Sequence, residues 1–152
     1  MSGPIDIRAI HERHRWLMRS LENDVEAALE EAGRHAEWTV VEKSTFRHRS
    51  NAVRDGTRTR VQRTRGARRL VITNVARHAA YLEYGTRPHI IRAKRGRSLS
   101  FFWLRVSKRM VIRQVRHPGT KPYHFLRFAR DQAFLLAGVL LHKALIKRGA
   151  QF

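Results

Sequence analysis

Apolar residues recur at spacings of three, four and seven along the first quarter of the chain. This spacing places them on one face of an α-helix, and the other face is acidic. The acidic face includes Glu22, Glu26, Glu30 and Glu31. We therefore predict a long helix over residues 5–40 whose apolar face is formed by Ile10, Leu17, Leu21, Val25, Ala28, Leu29, Ala32 and Ala36.

A second helical period fills residues 123–148 and ends at Gly149. We place its apolar residues on one face: Phe125, Phe128, Ala129, Ala133, Leu136, Ala137, Leu140, Leu141 and Leu145.

The segment between the helices, residues 69–122, has β-rich runs and a short helix near residues 76–84. Before it, Thr57–Thr64 alternates threonines with basic residues, which predicts an edge strand or a hairpin arm between turns at Asp55-Gly56 and Arg65-Gly66. The order of elements predicts one α+β domain over residues 1–152, with a mostly antiparallel sheet of three to five strands packed by the two helices.

Charge is the most unusual feature of the composition. The 152 residues hold 32 Lys+Arg and 12 Asp+Glu, a net charge of +20. Chains this basic usually meet a polyanion or an acidic protein surface. Nine of the twelve acidic residues fall within residues 1–42. This acidic segment can fold back on the basic part of its own chain or meet the basic face of a neighbouring subunit.

Residues 44–69 form an arginine-rich arm or hairpin with very few large apolar side chains. Its arginines can contact DNA phosphates or an acidic partner, or they can form a solvated arm. Phe46 is the only aromatic residue in this stretch, so recognition of single strands by stacking is not indicated. The arginines concerned are Arg47, Arg49, Arg54, Arg58, Arg60, Arg63, Arg65, Arg68 and Arg69.

The sequence offers little for catalysis. It has no cysteine, and after residue 42 its acidic residues are Asp55, Glu83 and Asp131. It has neither a glycine-rich phosphate loop nor a nucleophile elbow. We expect no enzyme, no metal and no cofactor, with a small basic ribonuclease as the alternative because Arg, Lys, His and Tyr are abundant. We also expect no signal peptide and no membrane association, since the longest apolar stretch is shorter than the ~20 residues of a span.

Two motifs go beyond composition: Ala79–Pro88, which contains Tyr-Leu-Glu-Tyr-Gly-Thr-Arg-Pro, and His117–Leu126, which contains Pro-Gly-Thr-Lys-Pro-Tyr-His-Phe-Leu. In this order the pair resembles the head–tail joining or tail-completion family of long-tailed bacteriophages. In that family a Glu-Tyr/Phe-Gly-Thr segment precedes a β-hairpin, a Pro-Gly-Thr-x-Pro turn and a final helix. The matching residues are Tyr81, Glu83, Tyr84, Gly85, Thr86, Pro88, Pro118, Gly119, Thr120, Pro122, Phe125 and Leu126.

The resemblance implies a structural subunit of the phage neck, a minor tail or connector protein in the virion, made in the cytoplasm of the host bacterium. It implies a homo-oligomeric ring, expected to be hexameric, between the DNA-filled head and the tail. Its partners would be a stopper and the tail terminator or tube, and its arginine arm would contact either genomic DNA or an acidic neighbour. The alternatives are the tail terminator itself and a nucleic-acid-binding protein without sequence preference.

The motif side chains can also be assigned places in this expected fold. We predict that Glu83 pairs with an arginine inside the fold in preference to an intersubunit contact. Tyr81, Tyr84, Phe125 and Phe128 are predicted to be core residues. The charge division further predicts that Glu26, Glu30 and Glu31 of one subunit approach the basic sheet region of the next.

Overall fold

The computed structural model describes residues 6–42, 51–94, 97–103 and 106–149. It confirms the mixed α+β class with a long helix near each end of the chain. The helices and strands are, in chain order, α1 Ile7–Glu42, α2 Ala52–Gly56, β1 Thr57–Thr64, β2 Ala67–Asn74, α3 Ala79–Tyr84, β3 His89–Arg92, β4 Leu99–Trp103, β5 Lys108–Ile112, β6 Gln114–His117 and α4 Phe125–Gly149.

The chain divides into two compact units, where the sequence suggested one domain. The helical unit comprises residues up to 76 and from 125 onward, and the middle unit comprises residues 77–124. The six strands of the described residues pair as three separate two-stranded antiparallel sheets, where one sheet of three to five strands was expected. The pairings explain this: β1 pairs with β2 across a tight turn, and β3 pairs with β6 around the β4–β5 pair.

Helices α1 and α4 pack together through alanines. The buried residues include Ala28, Ala32 and Ala36 of α1 and Ala129, Ala133 and Ala137 of α4, each set spaced by four. Rows at this spacing form the ridges of a helix surface, and small side chains let the two backbones approach closely. Arg148, near the end of α4, bonds to Asp24 at 2.6 Å and to the carbonyl oxygen of Ser20 at 3.1 Å. Because the buried alanines follow Asp24 in α1 but precede Arg148 in α4, the two helices are antiparallel.

The β1–β2 hairpin covers another side of α1. Its register runs from Thr57 opposite Asn74 to Thr64 opposite Ala67, around the predicted Arg65-Gly66 turn. Alternation along β1 turns Thr59 toward α1, where Glu37 accepts hydrogen bonds from its amide at 2.7 Å and its hydroxyl at 2.9 Å. Gly33 of α1 lies directly beneath Thr59. The hairpin is therefore held on α1 by the hydrogen bonds to Glu37, and it packs closely at Gly33, where the helix has no side chain.

The start of the hairpin is fixed by α2. The carbonyl oxygen of Val53, a buried residue of α2, accepts hydrogen bonds from the Thr57 hydroxyl at 2.9 Å and the Asn74 amide group at 2.7 Å. Asp55-Gly56, expected to be a turn, forms the end of this short helix. The β strand itself, Thr57–Thr64, has the bounds predicted from its alternation.

The middle unit consists of α3 followed by two strand pairs. In the β3–β6 pair His89 lies opposite His117, and in the β4–β5 pair Leu99 lies opposite Ile112. The ladder of β3 and β6 is extended by a bond from the Ala93 amide to the Arg113 carbonyl oxygen at 2.9 Å. The β4–β5 pair therefore lies within the loop that the β3–β6 ladder closes.

Candidate functional site

The two sequence motifs meet in the middle unit, to which all of their residues except Phe125 and Leu126 belong. Thr86 and Thr120 form a β-bridge, in which each amide donates to the other's carbonyl oxygen, at 3.0 and 3.1 Å. The Tyr123 amide donates to the Leu82 carbonyl oxygen at 2.8 Å. We call this junction the motif clasp, formed by residues 82–86 and 119–124. Segments more than thirty residues apart in sequence thereby become one surface.

Two glycines make the motif clasp possible. Gly85 and Gly119 adopt φ values of +73° and +87°, which side-chain-bearing residues rarely adopt. A Cβ atom on Gly85 would lie 2.5 Å from the Thr120 carbonyl oxygen, and one on Gly119 would overlap the Thr86 carbonyl oxygen. Both positions therefore need glycine for its conformation and for its lack of volume.

Four aromatic residues were predicted to lie in the core, and the structure buries one of them. Phe125 is buried, but Tyr81 is 60% exposed, Tyr84 is 72% exposed and Phe128 is 46% exposed. Helix α3 has only six residues and buries Ala79 and Glu83, which lie one turn apart, so its tyrosines fall on the opposite side. The prediction for Tyr81, Tyr84 and Phe128 was wrong, because sequence spacing does not reveal which side of a helix is covered.

Other motif residues have defined environments. Glu83 is 5% exposed, which agrees with a carboxylate held inside the fold. Its pairing with an arginine stays a prediction. Leu126 is partly buried, while Pro88, Pro118 and Pro122 are exposed around the motif clasp.

Strand alternation places the arginines of the hairpin on two opposite faces. Arg58, Arg60 and Arg69 lie on the face turned away from α1, since Arg69 is opposite Gln62 in the register. We call these three residues the arginine face. All three are exposed, and no salt bridge involves them within the described parts of the chain.

The remaining arginines of the set are divided among other environments. Arg63 and Arg68 lie on the α1 side, Arg54 is 3.8 Å from Asp55, and Arg65 is exposed in the turn. Arg47 and Arg49 lie outside the described residues.

The acidic face of α1 meets the hairpin of its own chain. Glu26 is bonded to Arg63 and lies 3.7 Å from Arg68, whose guanidinium is also 3.3 Å from Glu22. The hydrogen bond from Arg63 lowers the pKa of Glu26 despite the opposing effect of burial, and Glu26 raises the pKa of Arg63. Of the two arrangements open to the acidic segment, the structure shows the fold-back.

The Glu26 carboxylate is engaged by two arginines of the same chain, and its predicted contact with another subunit stays a prediction. Glu31 pairs with Arg34 one turn away at 2.5 Å, and Glu30 is exposed on the same helix. Contacts of Glu30 and Glu31 with another subunit stay predictions.

Large apolar side chains are exposed on both long helices. In α1, residues 7–16 are exposed, including Ile7 at 65% and Ile10 at 56%. Leu17 is half-buried and Met18 is 47% exposed. Ile7, Ile10, Leu17 and Met18 fall on the same side of α1 as the buried alanines further along, because they share the helical period. The apolar face of α1 therefore continues beyond the residues that α4 covers.

Helix α4 has a second apolar stripe besides the buried one. Phe128, Leu135, Val139 and Ile146 are between 46% and 62% exposed. Together with two polar residues, these side chains occupy positions separated alternately by four and three residues, which is the spacing of a coiled-coil seam. We call this row the α4 seam: Phe128, Gln132, Leu135, Val139, His142 and Ile146.

The α4 seam was missed at the level of sequence, where the apolar residues of this helix were assigned to one face. The signal was present, because Phe134, Leu135, Val139 and Ile146 make the helix apolar on more than one side. A helix that is apolar on several sides usually has several packing partners.

Two further searches of the described residues bear on the kind of site. No group of three His, Asp or Glu side chains is placed to hold a metal ion there. Neither long helix, over the residues described, contains a stretch both long and apolar enough to cross a bilayer. Comparison of the chain with protein-family models, with curated proteins and with solved structures finds no match.

Proposed function

We propose that the chain is a structural subunit of the neck of a long-tailed bacteriophage. As a head–tail connector or tail-completion protein it joins the tail to the DNA-filled head, as one subunit of a ring expected to be hexameric. It acts through assembly contacts and not through catalysis. The observation that carries the proposal is the exposed apolar surface of the helical unit, the α4 seam above all.

The α4 seam is the kind of surface that another protein covers. Burying apolar area contributes about 25 cal/mol per Å², so one half-exposed large side chain is worth roughly 1 kcal/mol on contact. The four apolar residues of the seam together offer about 4 kcal/mol before the costs of association. Gln132 and His142 interrupt the row, and polar residues at seam positions fix register at a cost in stability. These features support a specific contact with another subunit.

The motif clasp supports the same proposal through the resemblance. Several of the residues that match the joining family meet in one junction, held by backbone bonds and two glycines. A surface that is ordered before its partner arrives loses less conformational entropy on binding. The proposal therefore has support from both units of the chain.

The decisive test uses a phage in which this gene is disrupted. Electron microscopy of the lysate should show filled heads beside separate tails of normal length, and the wild-type gene supplied in trans should restore joined particles. Tails of irregular length would favour the tail terminator instead. Normal infectious virions would contradict both neck roles.

Purified protein tests the surface itself. Changing Leu135 and Ile146 of the seam to Ser should shift the assembly toward monomer in native mass spectrometry. A matched control changes Phe134 and Leu145, which are similarly exposed but lie about a quarter of a turn away on α4. Dissociation in the control alone, or in neither variant, would exclude the α4 seam as the subunit contact.

The arginine face favours a second candidate, a nucleic-acid-binding protein without sequence preference. Three exposed guanidinium groups on one sheet face, with no carboxylate partner in the part of the chain that the structure describes, suit contact with phosphates, not with base edges. Each phosphate contact steepens the fall of affinity with salt. Changing Arg58, Arg60 and Arg69 to Ser should therefore reduce the slope of log affinity against log salt by about 2–3 on duplex DNA.

A matched control separates position from total charge. The exposed residues Arg8, Arg15 and Arg19 of α1 are changed to Ser, which removes the same charge elsewhere. Equal slopes for the two triple variants would mean that net charge, and not the arginine face, governs binding.

A further inference from the structure

A cleft of about 700 Å³ opens in the middle unit beside the motif clasp. Its polar lining consists of His78, Tyr81, Arg87, His89, His117 and the threonines of the bridge. Within the described residues no Asp or Glu side chain lines it. The polar side chains among the lining residues that the structure describes are therefore hydroxyls, imidazoles and one guanidinium, so their fixed charge is positive.

The backbone fixes opposite tautomers on two facing histidines when both are neutral. The amide of Gly119 donates to Nδ1 of His117 at 3.1 Å, so the ring proton of His117 is on Nε2. His89 directs its Nδ1 at the Arg87 carbonyl oxygen, 2.9 Å away. A carbonyl oxygen only accepts, so this nitrogen carries the proton and Nε2 of His89 has a free lone pair.

These rings face each other across the β3–β6 pair, with centroids 5.0 Å apart. Their Nε2 atoms have no protein partner among the described residues. One ring can donate to a bound anion as it stands, and the other can do so once it is protonated.

The threonine bridge supplies one more donor. The Thr86 and Thr120 hydroxyl oxygens are 3.0 Å apart, and the Thr86 hydroxyl also accepts from the Thr120 amide at 3.0 Å. Only one of the two hydroxyl hydrogens can lie between the two oxygens. Whichever donates, the hydrogen of the other hydroxyl remains for a ligand.

The rest of the lining is apolar and partly aromatic. Tyr81, with 60% of its surface exposed, is joined by Leu82, Pro88 and Ile91. A tyrosine ring can stack on a nucleobase of any sequence, because every base has a π face.

We propose that this cleft binds a nucleotide unit, with its phosphate group on Arg87, the imidazole of His117 and the free threonine hydroxyl, and its base against Tyr81. A guanidinium, an imidazole and a hydroxyl that line one cleft match the several oxygens of a phosphate better than the two oxygens of a carboxylate. The unit can be a free nucleotide or part of a single strand. The cleft is independent of the arginine face and of the proposed neck role, since it lies in the middle unit and needs no partner subunit.

Calorimetric titration of the full chain tests this binding. The probes are thymidine 5′-monophosphate, thymidine, inorganic phosphate and a single-stranded oligothymidylate. We expect the monophosphate to bind at least tenfold more tightly than thymidine or inorganic phosphate alone, because it uses both parts of the cleft. Tighter binding of the oligonucleotide would identify a strand as the source of the phosphate, and tighter binding of the monophosphate would identify the free nucleotide.

Two exposed residues give variants that should keep the fold. Arg87→Gln should weaken monophosphate binding at least tenfold, and Tyr81→Ser about tenfold through loss of stacking. The triple arginine-face variant is the matched control and should bind the monophosphate like the wild type. The proposal is overturned if Arg87→Gln binds unchanged, if the control loses binding instead, or if a glutamate-rich peptide competes better than the nucleotide.

An independent measurement does not rely on affinity. Two-dimensional NMR of the imidazole nitrogens should show His117 protonated at Nε2 and His89 at Nδ1 in the free protein near neutral pH. Addition of the monophosphate should shift the resonances of both rings and leave those of His11 and His14 in α1 unchanged. Shifts of the α1 histidines alone would place the ligand elsewhere and refute the cleft.

Discussion

Replacing Gly33 with alanine should destabilise the protein, although alanine is the better helix former. In the interior of a helix this change usually gains about 1 kcal/mol. At Gly33, however, the new Cβ atom would lie 2.8 Å from the Thr59 hydroxyl oxygen and 3.2 Å from a methyl carbon of Leu70. Thr59 cannot move freely, because its hydroxyl and amide both donate to Glu37.

The size of the effect follows from opposing contributions. Overpacking of this kind costs about 1–3 kcal/mol. A hydrogen bond to a charged group contributes about 1.5–3 kcal/mol, and weakening it loses part of this, about 1 kcal/mol. After subtracting the helix-propensity gain, we expect a net loss of about 2 kcal/mol in the free energy of unfolding. Gly138→Ala is the matched control, since a Cβ atom there would have no neighbour within 4 Å, and it should gain about 1 kcal/mol.

Urea unfolding followed by circular dichroism, at one fixed protein concentration, measures both variants. The two free energies of unfolding should differ by about 3 kcal/mol, with Gly138→Ala the more stable. If Gly33→Ala is as stable as Gly138→Ala, the hairpin does not rest on α1 at Gly33, and the packing described for the helical unit is refuted.

Three further outcomes are expected. Gly119→Ala should abolish hydrogen-exchange protection of the amides in the motif clasp, whereas Gly66→Ala, at a similar φ but with open space around it, should leave that protection unchanged. The pKa of Glu26 is lowered, so its ion pair stabilises the fold fully above the ordinary pKa of 4.5, and this stabilisation is lost as the pH falls through the folded-state pKa. Urea midpoints measured against pH should fall accordingly, and the fall should be smaller in Glu26→Gln. Arg148→Leu, which leaves a half-buried partner carboxylate unpaired, should lower the urea midpoint clearly, whereas Arg130→Leu, from an exposed pair, should change it little.

Local patterns in the sequence predicted the regular elements well. The 3.6-residue period placed α1, and the structure extends it from Ile7 to Glu42. The alternation of threonine and arginine placed β1 at Thr57–Thr64, with the observed bounds. These patterns are local, so the residues that decide them are neighbours in the chain.

The surfaces were less predictable because they depend on distant pairings. Alternation shows that the hairpin has two faces, but only its position on α1 shows that Arg63 and Arg68 are paired inside and the arginine face is outside. The two motifs were recognised as an ordered pair in the sequence, but their contact could be seen only from the bridge between Thr86 and Thr120. The facing imidazoles of His89 and His117 likewise required the β3–β6 register.

The motif clasp also has a consequence for how the protein can change. It closes a loop between residues that are 34 positions apart, and the native bonds already offset the conformational entropy that is lost on closing this loop. Lengthening such a loop is inexpensive, since doubling its length adds only about 0.6 kcal/mol. The segment beyond the Ala93–Arg113 bond is thus a natural place for insertions. A peptide tag placed there should be tolerated while the residues at the base of the loop keep their geometry.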